Sequence, residues 1–438
     1  MLQLSAMRIL LRVVAHLALL TTVVTAQAPA PATHATTPAP AAAGFSTERL
    51  ARLHAGMQGF VDRHEAGGIV TLIARNGRIA DLHAVGALDA AGRTPMRTDA
   101  IFRVASMTKP VTSVAVMMLY EEGKLLLTDP VAKFIPAFTS STVLEAGASA
   151  PVPARRGITI RDLLTHRSGL TYGFLNGGAV GNAYRQNGVT DGLGPTSMTL
   201  EEGINVLAAQ PLVAQPGAAW NYSLSTDVLG RVVEVVSGQR FEAFLRERIF
   251  TPLKMVDTGF IVPDAKRPRF AALLTSDGKG GLREMTDPES LGNVVMSPLA
   301  AYREGRTYFS GGAGLASTAR DYARFAQMLL NGGTLDGTRL LGPKSVELMT
   351  TSHTADLPAN ALMGVGNQFG LGFRVLTDLG ASQALGSAGM YGWEGIYGTK
   401  FWVDPKEKLV AIVMVQRYPG QAAVFTAFQP LVYQSLVR

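Results

Sequence analysis

The stretch Phe102-Arg103-Val104-Ala105-Ser106-Met107-Thr108-Lys109-Pro110 carries a serine and a lysine in the spacing S-x-x-K, just ahead of an apolar segment. In that segment Val111, Val114, Ala115, Met118 and Leu119 recur at the period of one helical face, and Gly123 supplies a stop after Glu122. Pro110 falls in or beside the first turn, where its missing N–H costs least. The pattern predicts a buried helix with Ser106 at its N-terminus and Lys109 on the same face. A serine hydroxyl is inert until a base takes its proton, and a lysine one turn away is such a base once burial lowers its pKa. Bringing a lysine from about 10.4 to about 7 requires roughly 4 to 5 kcal/mol of destabilisation of the ammonium. The positive end of the helix dipole also favours negative charge developing on the serine.

The motif occurs again at Ser276-Asp277-Gly278-Lys279, inside a glycine-rich run whose composition is that of a turn. With no helix to hold its serine and lysine together, that copy is not expected to be the site.

Toward the N-terminus, Arg8 and Arg12 precede a mostly apolar run from Val13 to Val24, and Val24-Thr25-Ala26 ends in small residues. This is the pattern of a secretory signal over residues 1–26. The run is too short to span a bilayer, and no later run reaches the roughly 18 residues a span takes. Gln27 to Gly44 is an Ala/Pro/Thr tract, expected to be a disordered linker. These features predict an exported bacterial protein, periplasmic or secreted, with no stable membrane anchor. The chain has no cysteine, which excludes disulfides, thiol catalysis and Cys-ligated metals. Its formal charge is +7, but the basic residues are scattered and not interleaved with aromatics, so no nucleic-acid surface is expected.

From Phe45 onward the chain is long enough for two lobes. Leu50, Leu53, Met57 and Phe60 line one face of an opening helix running to about Glu65. Ile69 to Arg75, then Asn76-Gly77, then Arg78 to Val85 reads as a hairpin, because Asn-Gly is the preferred type I′ turn. Phe369 to Leu376, Thr399 to Val403 and Leu409 to Val415 read as strands, followed by a helix in which Val424, Phe428, Leu431 and Val432 share a face. The middle reads as mostly helical, with Asp227 to Ser237 closed by Gly238 and Thr318 to Asn331 closed by Gly332. The expectation is an α+β fold: an antiparallel sheet built from both chain ends (about 45–100 and 365–438) with a helical lobe (about 101–364) inserted between.

A conventional triad is poorly supported, since no G-x-S-x-G occurs. His166 ends a helix around Leu163-Leu164 and is expected to cap carbonyls there. No H-E-x-x-H or comparable spacing exists, so neither metal nor cofactor is expected. Tyr222 lies in a polar stretch, Trp220 to Asp227, just before a helix, and is a candidate second base or proton shuttle beside Lys109. The alternative is a half-buried tyrosine bonding a backbone group. The glycine-dense run from Gly386 to Thr399 leads into a strand, which points either to close approach of a ligand to an edge-strand N–H or to a tight loop. The polar segment from Asn176 to Met198 is read as a loop beside the site mouth that shapes the acyl or alcohol pocket, the alternative being a floppy surface insertion.

Together, S-x-x-K on a buried helix, a Tyr-Ser loop in the helical lobe and a glycine-rich motif entering a late strand resemble the serine β-lactamase and penicillin-binding-protein superfamily. Leu163 to Leu170, Asp227 to Gly230 and Gly311 to Thr318 add to the likeness, which covers nearly everything from Phe45. The chain looks most similar to the class C-like branch, and especially to family VIII carboxylesterases. The resemblance implies a β-lactamase/transpeptidase-like fold, Ser106 as nucleophile, Lys109 as its base and Tyr222 sharing in proton transfer. It implies Trp393-Glu394-Gly395 as the third motif, and the N–H groups of Ser106 and Ile396 as the oxyanion hole. The pair Lys109–Tyr222, rather than either member, is the base at this level, because coupled groups titrate as a unit.

Class C β-lactamases carry Tyr-x-Asn where this chain has Leu224 in the third position, and Lys-Thr-Gly where it has Trp393, Glu394 and Gly395. A carboxylate-bearing substrate would lose a charge-assisted bond worth about 1.5 to 3 kcal/mol, whereas a neutral ester would lose nothing. The expected function is therefore cleavage of small carboxylic esters through an acyl-enzyme. The alternatives are a class C-like β-lactamase or D,D-peptidase, and a non-catalytic binding protein on the same fold.

Overall fold

The computed structural model describes residues 40–437, apart from 146, 303, 304, 359, 420 and 421. The expected signal segment and most of the expected linker lie outside the described residues. The linker's last residues do not follow the expectation of disorder. Ala41–Ala43 form a short 3-10 turn, and Ala43 is buried against the opening helix and the sheet.

Seven antiparallel strands make the central sheet: β1 (Gly68–Arg75), β2 (Arg78–Gly86), β3 (Asn367–Phe369), β4 (Arg374–Leu376), β5 (Tyr391–Gly395), β6 (Thr399–Asp404) and β7 (Leu409–Met414). Their spatial order is β3-β4-β5-β6-β7-β1-β2, so the two chain ends meet where β7 pairs with β1, Val70 opposite Met414 and Arg75 opposite Leu409. Asn76 and Gly77 both take positive φ, 52° and 72°, as a type I′ turn requires.

Strand parity explains why β1 and β7 read as unbroken apolar runs. Ile69 and Ile73 face an outer core shared with Ala411 and Val413, while Val70, Leu72 and Ala74 face an inner core with Ile412 and Met414. The outer core is closed by the opening helix, Thr47–Asp62, and the closing helix, Ala422–Tyr433. The opening helix buries the four residues its periodicity marked, and Ser46 caps it by accepting the Arg49 N–H at 3.2 Å.

On the inner side lies the central helix, Thr108–Glu121. Every residue from Thr108 to Leu119 is buried, so the helix is enclosed on all faces and not on one. Thr112 Oγ1 donates to the Gly311 carbonyl at 2.8 Å, and Thr108 Oγ1 accepts the Leu315 N–H at 3.1 Å. Around it stand helices Ser225–Ser237 and Ala319–Leu330, both followed by glycines of positive φ. The inserted region also holds five small two-stranded sheets among the described residues.

Two local expectations are corrected. The run Phe369 to Leu376 is not one strand but the hairpin β3–β4, broken at Gly370-Leu371-Gly372. Gly372 takes φ 93°, and a Cβ there would collide with Ser113 of the central helix. The glycine-rich run before Thr399 is not only an approach to a strand. Its residues Tyr391–Gly395 are themselves β5, registered with β6 as Trp393 opposite Phe401 and Gly395 opposite Thr399.

At Gly395, β5 comes up against the backbone that leads into the Ser106 turn. A Cβ at this position would run into the Val104 carbonyl and the Thr399 hydroxyl, which are themselves bonded at 3.1 Å. Gly395→Ala is expected to destabilise the fold by about 1 to 3 kcal/mol, as overpacking does, read from the urea midpoint.

Candidate active site

Ser106 sits in a single 3-10 turn, Ala105–Met107, that runs directly into the central helix. The preceding Ala105 is fully buried with a left-handed φ of 42°, a conformation alanine keeps only where its surroundings impose it. Those surroundings are specific. The Val104 N–H donates to the Leu315 carbonyl at 3.0 Å, and the Tyr322 hydroxyl donates to the Met107 carbonyl at 2.7 Å.

Lys109 is almost completely buried. Its Nζ lies 3.2 Å from Ser106 Oγ, 2.9 Å from the Tyr172 hydroxyl and 2.8 Å from the Gly312 carbonyl. Burial lowers its pKa from the ordinary 10.5 to about 7, while the nearby Asp227 carboxylate resists the fall. The three partners suit both protonation states. An ammonium has three donors for three acceptors. A neutral amine gives two N–H groups to Tyr172 and Gly312 and turns its lone pair to the Ser106 hydroxyl. Gaining or losing a proton therefore requires no rearrangement.

Asp227, near the start of the helix Ser225–Ser237, is also fully buried. Burial raises its pKa, while the Ser310 hydroxyl, at 2.6 Å from Oδ1, works against the rise. Its carboxylate packs against Gly312, where a Cβ would strike Oδ2. The glycines at 311 and 312 thus let one loop pass between the acid and the lysine.

Tyr222 also reaches Ser106. Its hydroxyl accepts the Trp393 indole N–H at 3.1 Å and interacts with the Ser106 side chain. Lys109 Nζ lies 4.6 Å from its ring centroid. Burial raises its pKa, so the phenol holds its proton.

His166 does not cap helix carbonyls as expected. Its backbone makes the left-handed turn at the helix end, φ 54°, which sends the ring inward. The ring packs 4.9 Å from that of Tyr222, and Nδ1 lies 3.1 Å from Ser223 Oγ. Burial, reinforced by Lys109, pushes its pKa well down and keeps it neutral.

In the sheet, β4 pairs with β5 only at Tyr391 and Gly392, which leaves Trp393, Glu394 and Gly395 without a partner strand on that side. These three and Ile396 line a cavity of about 340 Å³ together with Ser106, Tyr172 and Tyr222. Much of its remaining wall is apolar, including Leu175, Leu193, Leu362 and Phe425. Glu394 is ion-paired with Arg374 and lies 3.9 Å from Lys400. Burial works to raise its pKa, but the two cations prevail and hold it below the ordinary value.

The structure thus brings Ser106, Lys109, Tyr222, Trp393, Glu394, Gly395 and Ile396 into one site. The second S-x-x-K, Ser276 to Lys279, falls on the exposed turn between two short paired strands, Leu274–Ser276 and Leu282–Glu284. The segment 176–198 is not wholly loop, since Ala179–Gln186 is helical, but its Asp191 and Leu193 reach the cavity wall. Sequence reading missed Tyr172, Asp191, Arg374 and the part played by Asp227, because none bears a fixed spacing to the nucleophile. Among the described residues no group of three or more His, Cys, Asp or Glu is arranged to hold a metal ion.

Residues 53–430 match the family model described as Beta-lactamase. The chain belongs to the β-lactamase family. Within the family, Protein Rv1367c of Mycobacterium tuberculosis is 37% identical over 364 residues, 80% of this chain and 86% of that protein. Esterase EstB of Burkholderia gladioli is 34% identical over 375 residues, 84% of this chain and 90% of the esterase. Among solved structures, EstCE1, described as a hydrolase with promiscuous acyltransferase activity, matches with a TM-score of 0.76. It shares 29% identity and covers 88% of this chain and 98% of its own. The β-lactamase-family fold with its antiparallel sheet is thus shared with esterases.

Two outcomes follow from the geometry around Lys109. Its basic form is the neutral one, so the rate of Ser106 labelling by a fluorophosphonate should rise with pH to a plateau, with its midpoint near 7 and not 10.5. Tyr172→Phe removes an acceptor that stabilises the ammonium and should move that midpoint downward. Trp393→Phe takes the donor from Tyr222 and should slow turnover about tenfold, the equivalent of one hydrogen bond of about 1.4 kcal/mol.

Proposed function

We propose that the protein hydrolyses carboxylic esters through a Ser106 acyl-enzyme, in the manner of the family VIII carboxylesterases it resembles. The observation that carries this reading is the buried Lys109 amine, 3.2 Å from Ser106 Oγ with its pKa lowered to about 7. It lies beside a cavity whose third motif offers Trp393 where a β-lactamase would offer a lysine.

In the first half-reaction Lys109 takes the Ser106 proton as Oγ bonds to the ester carbonyl carbon. The backbone N–H groups of Ser106 and Ile396 stabilise the oxyanion. The carbon–oxygen bond to the alcohol then breaks, and the proton passes to the departing oxygen by way of the Tyr222 hydroxyl. In the second half a water gives its proton to the same relay, attacks the acyl carbon and releases the acid, returning the proton to Ser106. Tyr222 serves as a shuttle and not as a phenolate base, since burial holds its pKa above the ordinary value.

The preference for neutral esters over β-lactams rests on how the third motif is occupied. The Trp393 indole N–H is committed to Tyr222, and Glu394 and Arg374 neutralise one another. Esterase relatives at 34% and 29% identity support the same reading. We further place the mature protein outside the cytoplasm, on the strength of Arg8, Arg12 and the apolar run that ends at Val24-Thr25-Ala26.

The test follows short p-nitrophenyl esters and a chromogenic cephalosporin side by side, with Ser106→Ala as control. Ester turnover should exceed cephalosporin turnover by at least about tenfold, consistent with the absent charge-assisted bond, and Ser106→Ala should abolish both. Dominant cephalosporin turnover would replace this reading with a β-lactamase.

A further inference from the structure

Among the described residues two acids line the cavity wall, Glu394, which is ion-paired with Arg374, and Asp191, to which the chemistry above gives no part. Its loop is firmly held. Gly192 takes φ 76° in a position where a Cβ would strike Ser310, and the Ser297 N–H donates to the Leu193 carbonyl at 2.8 Å. The Asp191 carboxyl is thereby fixed on the wall shared with Ser106, Tyr172 and Leu193. Its Oδ1 accepts the Leu193 N–H at 3.0 Å.

No lysine, arginine or histidine pairs with Asp191 among the described residues. Burial raises its pKa, and only backbone N–H groups oppose that rise. The other charged wall residues, Arg374 and Glu394, are closed on one another. The wall thus carries one internally neutralised pair and one acid with no counter-charge. An uncompensated carboxylate in a largely apolar cavity is costly, and a ligand cation relieves that cost. A ligand carboxylate in the same place adds like-charge repulsion instead, which is how a site discriminates against a wrong partner.

We propose that Asp191 selects substrates by charge: the site favours esters whose acyl or alcohol arm carries an ammonium group and turns away those carrying a carboxylate there. The proposal rests on the ester-hydrolase reading and names its substrate class. It also supplies a second barrier to β-lactams, independent of Trp393.

The experiment uses the whole protein and esters of one chain length ending in an ammonium, a methyl or a carboxylate, in one series with the group on the acyl arm and one with it on the alcohol arm. In at least one series kcat/KM for the ammonium ester should exceed that for the carboxylate ester by about tenfold or more, the range of a charge-assisted contact. In Asp191→Asn that ratio should shrink to within about threefold, in protein whose Ser106 still reacts with a fluorophosphonate. Wild-type protein that treats the charged esters alike in both series overturns the proposal without recourse to any variant. A ratio that Asp191→Asn leaves intact overturns it as well. Wild-type protein that fails to hydrolyse even the methyl-ended esters overturns the ester reading itself, so the two failures are separable.

Discussion

The site depends on a primary amine held out of water. Lys109 is enclosed by the central helix, the Tyr172 hydroxyl and the Gly312 carbonyl, and its desolvation is what turns an ordinary surface cation into a base at neutral pH. Such a group is costly to bury, and the fold offsets the cost with fully made hydrogen bonds and with the carboxylate of Asp227 close by. Both acid and amine sit where a large enclosed core can hold them, between the sheet and the helices around the central helix.

Close backbone approach is the second constraint. Gly311 and Gly312 let a loop run between Asp227 and Lys109, Gly372 lets the β3–β4 hairpin touch Ser113, and Gly395 lets β5 meet the Ser106 turn. Each removes a side chain at a point where two elements from distant parts of the chain must meet. The glycine density seen near these positions is therefore a record of packing, and at β5 it also brings the backbone to the cavity wall.

Trp393 shows how one substitution of residue type changes both electrostatics and mechanics. Its indole fixes the Tyr222 hydroxyl at 3.1 Å and joins an aromatic cluster with Phe369 and Tyr222. The same position gives no cation to an incoming carboxylate. Tyr222 is then braced from a second side by the neutral ring of His166, which packs against the tyrosine proposed to move the proton.

Sequence by itself determined the features that are local or periodic. The 3.6-residue period marked the opening and central helices, the Asn76-Gly77 turn marked the β1–β2 hairpin, and S-x-x-K placed Ser106 beside Lys109, because residues three apart on a helix are neighbours whatever surrounds them. Composition singled out Tyr222 and the glycine-rich run from Gly386 to Thr399 as candidates, and the family resemblance gave Tyr222 and residues 393–396 their expected roles from motif order. Only the tertiary structure decided the rest. That the central helix is enclosed on every face, that His166 turns inward, and that Tyr172, Asp191, Asp227 and Arg374 converge on the site depend on contacts between segments far apart in the chain. Burial and counter-charge, which give each of these groups its chemistry, are properties of what folds around a residue and leave no periodic trace in the sequence.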